Sequence, residues 1–311
     1  MNQHFCFTTI RNAFYPQAAI GISANTFLLC LHIAAVFVGH NPRLTDLPIT
    51  HLALTHILML LTMGLLASTD IWDLQELPGD LKCKVLIFLN RVMRGLSICT
   101  TCVLSVLQAV TISPSSSWLA NFKFKSTNPI VWLFLFLWVL TMCISSNLFL
   151  CTVATPNKTQ PGILTLTEHC SLLLMSYRDR SLFLALMAFR DVLFLGLMVL
   201  SSAYMIILLH RHEQQSVSLH SSRCSPKSSP EQRRATWTIL LLTSFFVFMY
   251  CLDSILSSLR TMWKDGPIDL YIQMMVSNGY ATTSPLLLIC TEKRIINFLK
   301  FLLLSYIHQS S

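Results

Sequence analysis

Apolar residues in this chain fall into seven long blocks separated by short polar segments. The blocks run 16–39, 47–69, 81–111, 129–153, 182–209, 236–260 and 268–291. A helix that crosses a bilayer takes about 20 predominantly apolar residues, and every block reaches that length. Six hold a charge-free core, whereas the third is charge-free only from Gly95 onward and carries Arg91 and Arg94 near its start. In lipid an open strand would leave backbone groups unpaired, while a helix bonds its own. The pattern therefore predicts an all-α membrane protein, a bundle of seven transmembrane helices making one domain over 1–311. No internal repeat is visible, and Pro285 is the only proline well inside a block. Both features count against the alternative of a small multi-spanning secondary transporter, which predicts inverted halves and broken helices at mid-membrane.

Three features orient the bundle the same way. With the N-terminus outside, the inner loops and tail hold eleven Lys and Arg, against eight in the outer segments, block ends included, and three deeper in the membrane. That is a weak positive-inside bias. The sole Asn-x-Ser/Thr sequon, Asn157-Lys158-Thr159, follows the fourth block, and glycan is added on the lumenal side. Cys83 and Cys170 also fall in outer segments, where disulfides persist. The N-terminus is thus expected outside, the C-terminus inside, and Asn157 glycosylated. The first fifteen residues hold no continuous apolar run and no small-residue cleavage site, so the first block is expected to serve as the targeting signal.

Two inner segments stand out. Residues 210–235 are Ser-rich and broken by Pro226 and Pro230, which suits a flexible cytoplasmic loop. From Glu292 to Leu304 apolar residues alternate with Lys293, Arg294 and Lys300. That stretch suits an amphipathic helix on the inner leaflet.

Composition agrees with a lipid environment. The chain is 53% hydrophobic and 12% charged, where soluble domains carry about 25% charge. A net charge of +8 raises the question of nucleic acid. No basic stripe alternates with aromatics, so the partner expected from composition is the bilayer and not nucleic acid.

Eleven cysteines invite metal or redox readings. Cys99 and Cys102 have redox-motif spacing, but they lie inside the third block with no acid or His beside them, where a thiol is an inert small hydrophobe. Cys83 and Cys170 differ, because one lies at the top of the third block and the other in the second outer loop. A bridge between them would tie that loop over the mouth of the bundle; the alternative is two unlinked thiols. Cys6 would be left over outside. No metal and no cofactor is expected.

Charges within the blocks carry the most information, since an ionisable group in the membrane is costly and faces the bundle interior. Away from the block ends there are five: Arg91, Arg94, Arg190, Asp191 and Asp253. At about 1.5 Å of rise per residue, Arg94 lies about 16 Å below Cys83, Arg190 about 12 Å inside the fifth block and Asp253 about 10 Å inside the sixth. These depths place all five in the outer half, where they would line a polar cavity open to the outside. The competing account is an ion-pair network that only holds helices together. Arg94, Arg190 and Asp253 are the first candidates for ligand contact, with Asn90, Tyr250 and Asp191 behind them. Arg91 shares a face with Arg94 and is close enough to the mouth to reach the headgroups.

No HExxH, GxSxG or P-loop is present, and nothing in the chain makes an enzyme. His51 and His56 are five apart, off-register for a shared helix face, which points to chance placement. The aromatic run from Trp132 to Trp138 reads as lipid-facing or packing surface.

Several stretches carry a resemblance. They are RVMRGLSICTTC (Arg91 to Cys102), SVLQAVTISPSSSWLA (Ser105 to Ala120), FRDV (Phe189 to Val192), SPKSSPEQR (Ser225 to Arg233), MYCLDS (Met249 to Ser254), NGYATTSPL (Asn278 to Leu286) and CTEKRI (Cys290 to Ile295). In these the chain resembles the vomeronasal type 1 receptors, a pheromone-receptor family within the rhodopsin-like superfamily of G-protein-coupled receptors, nearly end to end. It departs from the wider rhodopsin-like pattern: Val106, Leu107 and Gln108 stand where Asp-Arg-Tyr would close the third helix, Ser284-Pro285 replaces Asn-Pro in the seventh, and the Trp of the sixth-helix switch is missing. The resemblance implies a multi-pass plasma-membrane receptor for small pheromone-like molecules, coupled to an inhibitory-type heterotrimeric G protein. It leaves the residue-level switch open.

Overall fold

A computed structural model describes residues 2–37, 44–68, 79–114, 127–154, 164–165, 170–172, 177–218, 230–262 and 267–291. Asn157, residues 219–229 of the inner loop and the segment 292–304 lie outside the described residues. Among the described residues, seven helices carry the chain: α1 (Asn2–Phe37), α2 (Asp46–Ala67), α3 (Gly79–Ile112), α4 (Asn128–Cys151), α5 (Tyr177–Ser218), α6 (Pro230–Met262) and α7 (Pro267–Thr291). Six of them hold described stretches long and apolar enough to cross a membrane by length and composition. α7 is the exception, its apolar run broken by Asn278, Gly279 and Ser284.

Each apolar block became a helix, and several helices outrun their blocks. α5 continues from 209 to Ser218 and α6 starts at Pro230, so both ends of the supposed loop 210–235 are helical. Pro230 suits that start, since a first-turn proline forfeits no intrahelical bond. The expectation of an all-α chain needs one amendment. β1 (Thr152–Ala154), β2 (Leu164–Thr165) and β3 (Cys170–Leu172) form a small antiparallel sheet in the order β1-β3-β2, with Ala154 opposite Cys170. Runs of two and three residues carry too little periodicity for sequence reasoning to detect.

α3 is the axis of the bundle. It packs against α2, α4, α5 and α6, and nearly every residue from Val92 to Val110 is buried. The outer helices expose apolar side chains instead: Trp132 is 72% exposed, Phe189 69% and Leu200 69%. An exterior of that kind is stable only against lipid. Between helices the gain comes from close packing and interhelical hydrogen bonds. A Cβ on Gly21 of α1 would lie 2.6 Å from Leu60 Cδ1 and 2.9 Å from Thr282 Oγ1, so only glycine lets α1 approach α2 and α7 there. Four residues on, buried Asn25 Nδ2 donates to the carbonyls of Gly21 at 2.8 Å and Ala281 at 2.9 Å, tying α1 to α7.

Cys83 and Cys170 are joined by a disulfide, Cα to Cα 5.6 Å, and both are fully buried. The bridge holds β3 against the first turns of α3. It marks one end of the bundle, and the intramembrane charges lie in the half nearest it.

Candidate functional site

The five ionisable residues resolve into two ion pairs and one further arginine. Arg94 of α3 pairs with Asp253 of α6, its Nη2 donating to Oδ2. Arg190 of α5 pairs with its chain neighbour, Nε donating to Asp191 Oδ1 at 2.8 Å. Tyr250 of α6 donates from its hydroxyl to Asp191 Oδ2 at 2.7 Å. The carboxylate of Asp191 therefore joins Arg190 to α6. Tyr250 and Asp253, three apart on one helix face, bring both pairs to the same side of α6. Paired and hydrogen-bonded charges of this kind tolerate burial; single ones do not.

A cavity of about 30 Å³ lies between α2, α3, α6 and α7. Arg94, Tyr250 and Asp253 form its wall toward the disulfide end. Ser97, Phe246 and Tyr280 line it at greater depth, and Met59, Ile98, Met249 and Val276 supply apolar surface. The volume holds about two water molecules, so an organic ligand enters only if the helices or the methionines give way.

Three other candidates lie off this cavity. Arg190 is 4% exposed and turned toward α3 and α4, its guanidinium seated over Gly95 and beside Thr141. Asp191 reaches the cavity only through Tyr250. Asn90 faces α2, where Nδ2 donates to Met59 O and Thr62 Oγ1, each at 3.1 Å.

Below the cavity lies a polar junction that the spacing of its residues does not announce. His56 is buried, with Nε2 at 2.8 Å from Ser97 Oγ and Nδ1 at 3.1 Å from Ser284 Oγ. It therefore joins α2, α3 and α7 directly under two cavity-lining residues, since the Tyr280 ring also packs edge-on to it at 5.3 Å. His51 is bonded too: Trp138 Nε1 donates to its Nε2 at 2.9 Å, and its Nδ1 lies 2.9 Å from Thr100 Oγ1. Chance placement of these histidines is thus the wrong expectation. Being off a common face is what lets each one serve a different pair of neighbouring helices. A His near the inner end of an apolar block, with Ser or Thr on the facing helix, is the signal that was available.

A bundle of seven helices, four of which enclose a cavity bounded by the Arg94–Asp253 pair, agrees with the expectation of a multi-pass membrane receptor. Comparison with known proteins narrows the class. The model of the vomeronasal organ pheromone receptor family matches residues 8–301. Vomeronasal type-1 receptor 90 of Rattus norvegicus is 51% identical over 290 residues, covering 93% of each chain. Vomeronasal type-1 receptor 48 of Mus musculus is 48% identical over 293 residues, covering 94% of this chain and 96% of that one. The chain belongs to the vomeronasal type 1 receptor family, and is a multi-pass membrane receptor and not an enzyme.

Proposed function

We propose that this receptor takes a small pheromone-like ligand in the cavity bounded by Arg94, Tyr250 and Asp253, and passes its occupancy to an inhibitory-type heterotrimeric G protein. The observation that carries this reading is the convergence of those three side chains from α3 and α6 on one cavity. Buried charges are retained in membrane helices chiefly where they serve function. Arg190 and Asp191 support the site from behind by holding the Tyr250 hydroxyl. Asn90 steadies α3 against α2.

In this reading the disulfide end faces outward, with the N-terminus outside and the C-terminus inside. The opposite ends of α3, α5 and α6 then present the G-protein surface. Three hydrogen bonds close them: Gln108 Nε2 donates to Thr236 Oγ1 at 2.9 Å, Ser105 and Ser201 hydroxyls lie 2.7 Å apart, and Ser113 and Tyr204 hydroxyls 2.8 Å apart. A ligand shifts this arrangement only by binding the open one better.

The test is a G-protein activation screen against volatile and urinary small molecules, repeated on Asp253→Asn and Arg190→Gln with surface level measured in parallel. Altered potency in protein that still reaches the membrane is the expected result. Normal surface level with unchanged potency for several ligands would remove the cavity from the reading.

A further inference from the structure

The two carboxylate oxygens of Asp253 have different surroundings. Oδ2 accepts from Arg94. Oδ1 is buried and has no hydrogen-bond partner among the described residues, on a residue only 6% exposed. Buried acceptors are ordinarily satisfied, and a carboxylate oxygen kept from donors is among the costlier exceptions. Asp253 lines the cavity, so a molecule that displaces the packing there comes within reach of its carboxylate, of which Oδ1 is the oxygen that no described group serves.

The neighbouring charges decide what kind of donor fits. Arg94, Arg190, Asp191 and Asp253 all lie within electrostatic reach of Arg91. Pairing takes up Arg94 with Asp253 and Arg190 with Asp191, which leaves the cluster one positive charge in surplus. A cationic head group is repelled by that surplus. An anionic head group is attracted by it, but sets its own acceptors against Oδ1. A neutral O–H or N–H meets neither conflict. The apolar lining of Met59, Ile98, Met249 and Val276 asks for a compact hydrocarbon body, and methionines adapt to its shape.

We propose that Asp253 Oδ1 is the head-group acceptor of the cavity, and that this receptor prefers ligands ending in a neutral hydrogen-bond donor. The inference rests on the cavity being the ligand site. It adds the polarity of the ligand: an alcohol outranks the ether, amine and carboxylate built on the same skeleton. A hydrogen bond to a charged acceptor makes that difference about ten- to hundredfold in affinity.

Thermal stabilisation of the purified full-length receptor tests it without a G protein. Three skeletons serve as probes: cyclohexylmethyl, nonyl and a steroid. Each is offered as the alcohol, methyl ether, primary ammonium and carboxylate. The alcohol is expected to protect at concentrations at least tenfold lower than its ether on the tightest-binding skeleton. Asp253→Asn keeps an oxygen for Arg94 and turns the other position into an N–H donor, from which alcohol and ether oxygens both accept, so the alcohol's advantage over its ether should fall to about threefold or less. Should that variant fail to fold, the ranking on the native receptor decides alone. An ether equal to its alcohol on the native receptor, a charged analogue in first place, or an alcohol advantage undiminished in Asp253→Asn overturns the inference while leaving the cavity a ligand site. Protection by no compound on any skeleton overturns the cavity reading and the inference together.

Discussion

Gly95 of α3 is the seat of Arg190 of α5: a Cβ at position 95 would lie 2.6 Å from Arg190 Nη1 and 2.7 Å from Thr141 Cγ2. The guanidinium cannot retreat freely, because it is buried and bonded to Asp191. Thr141 is fully buried and held by its hydroxyl to Leu137 O at 2.7 Å. Overpacking at such a site costs about 1–3 kcal/mol. Gly95→Ala is therefore expected to lower surface expression and thermal stability, and Thr141→Ser, which removes the clashing methyl but keeps the hydroxyl, should restore part of both. Equal stability of Gly95→Ala and the native receptor would show that Arg190 moves aside without cost.

Arg94 and Asp253 offer a sharper separation of structure from recognition. Removing one partner of a buried pair leaves an uncompensated charge, at about 3–5 kcal/mol, whereas replacing both with apolar residues of similar volume is often neutral. Arg94→Met and Asp253→Leu, which unlike Asp253→Asn leave the partner no polar atom to bond, are each expected to abolish most surface staining. The double variant should recover it and still give no ligand response. A double variant that both traffics and responds would make the pair a packing device alone.

Trp138 gives a test at the other histidine. An indole N–H can only donate, so Nε2 of His51 must be its unprotonated acceptor, and Nδ1 then donates to Thr100 Oγ1. The Thr100 hydroxyl in turn donates to Leu96 O at 2.7 Å. Trp138→Phe keeps an aromatic ring beside His51 and Phe134 but loses the donor. Interhelical bonds in membranes are worth about 0.6 kcal/mol on average and up to about 1.7. A fall of that size in the stability of detergent-purified receptor is expected. No fall at all would mean the bond contributes nothing beyond its packing.

The Cys83–Cys170 bridge closes a loop spanning 87 positions. On the chain-entropy account a loop of that length is worth about 4–5 kcal/mol. Cys83→Ser and Cys170→Ser should each lower surface expression sharply, and the double variant should be no worse than either, since one bond is lost in all three. Strictly additive losses would show that the thiols act separately.

Orientation is read most directly at Asn157. Asn157→Gln should raise gel mobility by the mass of one glycan, matched by glycosidase treatment of the native chain. A glycan acquired by a sequon engineered between residues 219 and 229 would invert the proposed topology.

Most of the helical frame was legible in the chain because lipid acts on each segment by itself. Any run of about 20 apolar residues must become a helix there, whatever its neighbours, so the membrane-crossing parts of α1 through α6 follow from local composition. The same solvent makes every intramembrane charge conspicuous, which is why Arg94, Arg190 and Asp253 stood out. The disulfide was legible for a related reason, as Cys83 and Cys170 fall in outer segments under the proposed topology.

Partnership was another matter. Periodicity says that a residue faces inward but not which of several neighbouring helices it meets, because helix rotation and register are set by packing. Arg190 pairs with adjacent Asp191 and not across the bundle. Asn90 turns to α2, and His51 and His56, spaced as if by accident, each bridge helices. The apolar part of the cavity was invisible for the same reason: Met59, Met249 and Tyr280 look like core in one dimension. Only the close approach of α2, α3, α6 and α7 makes them walls around the unpartnered oxygen of Asp253.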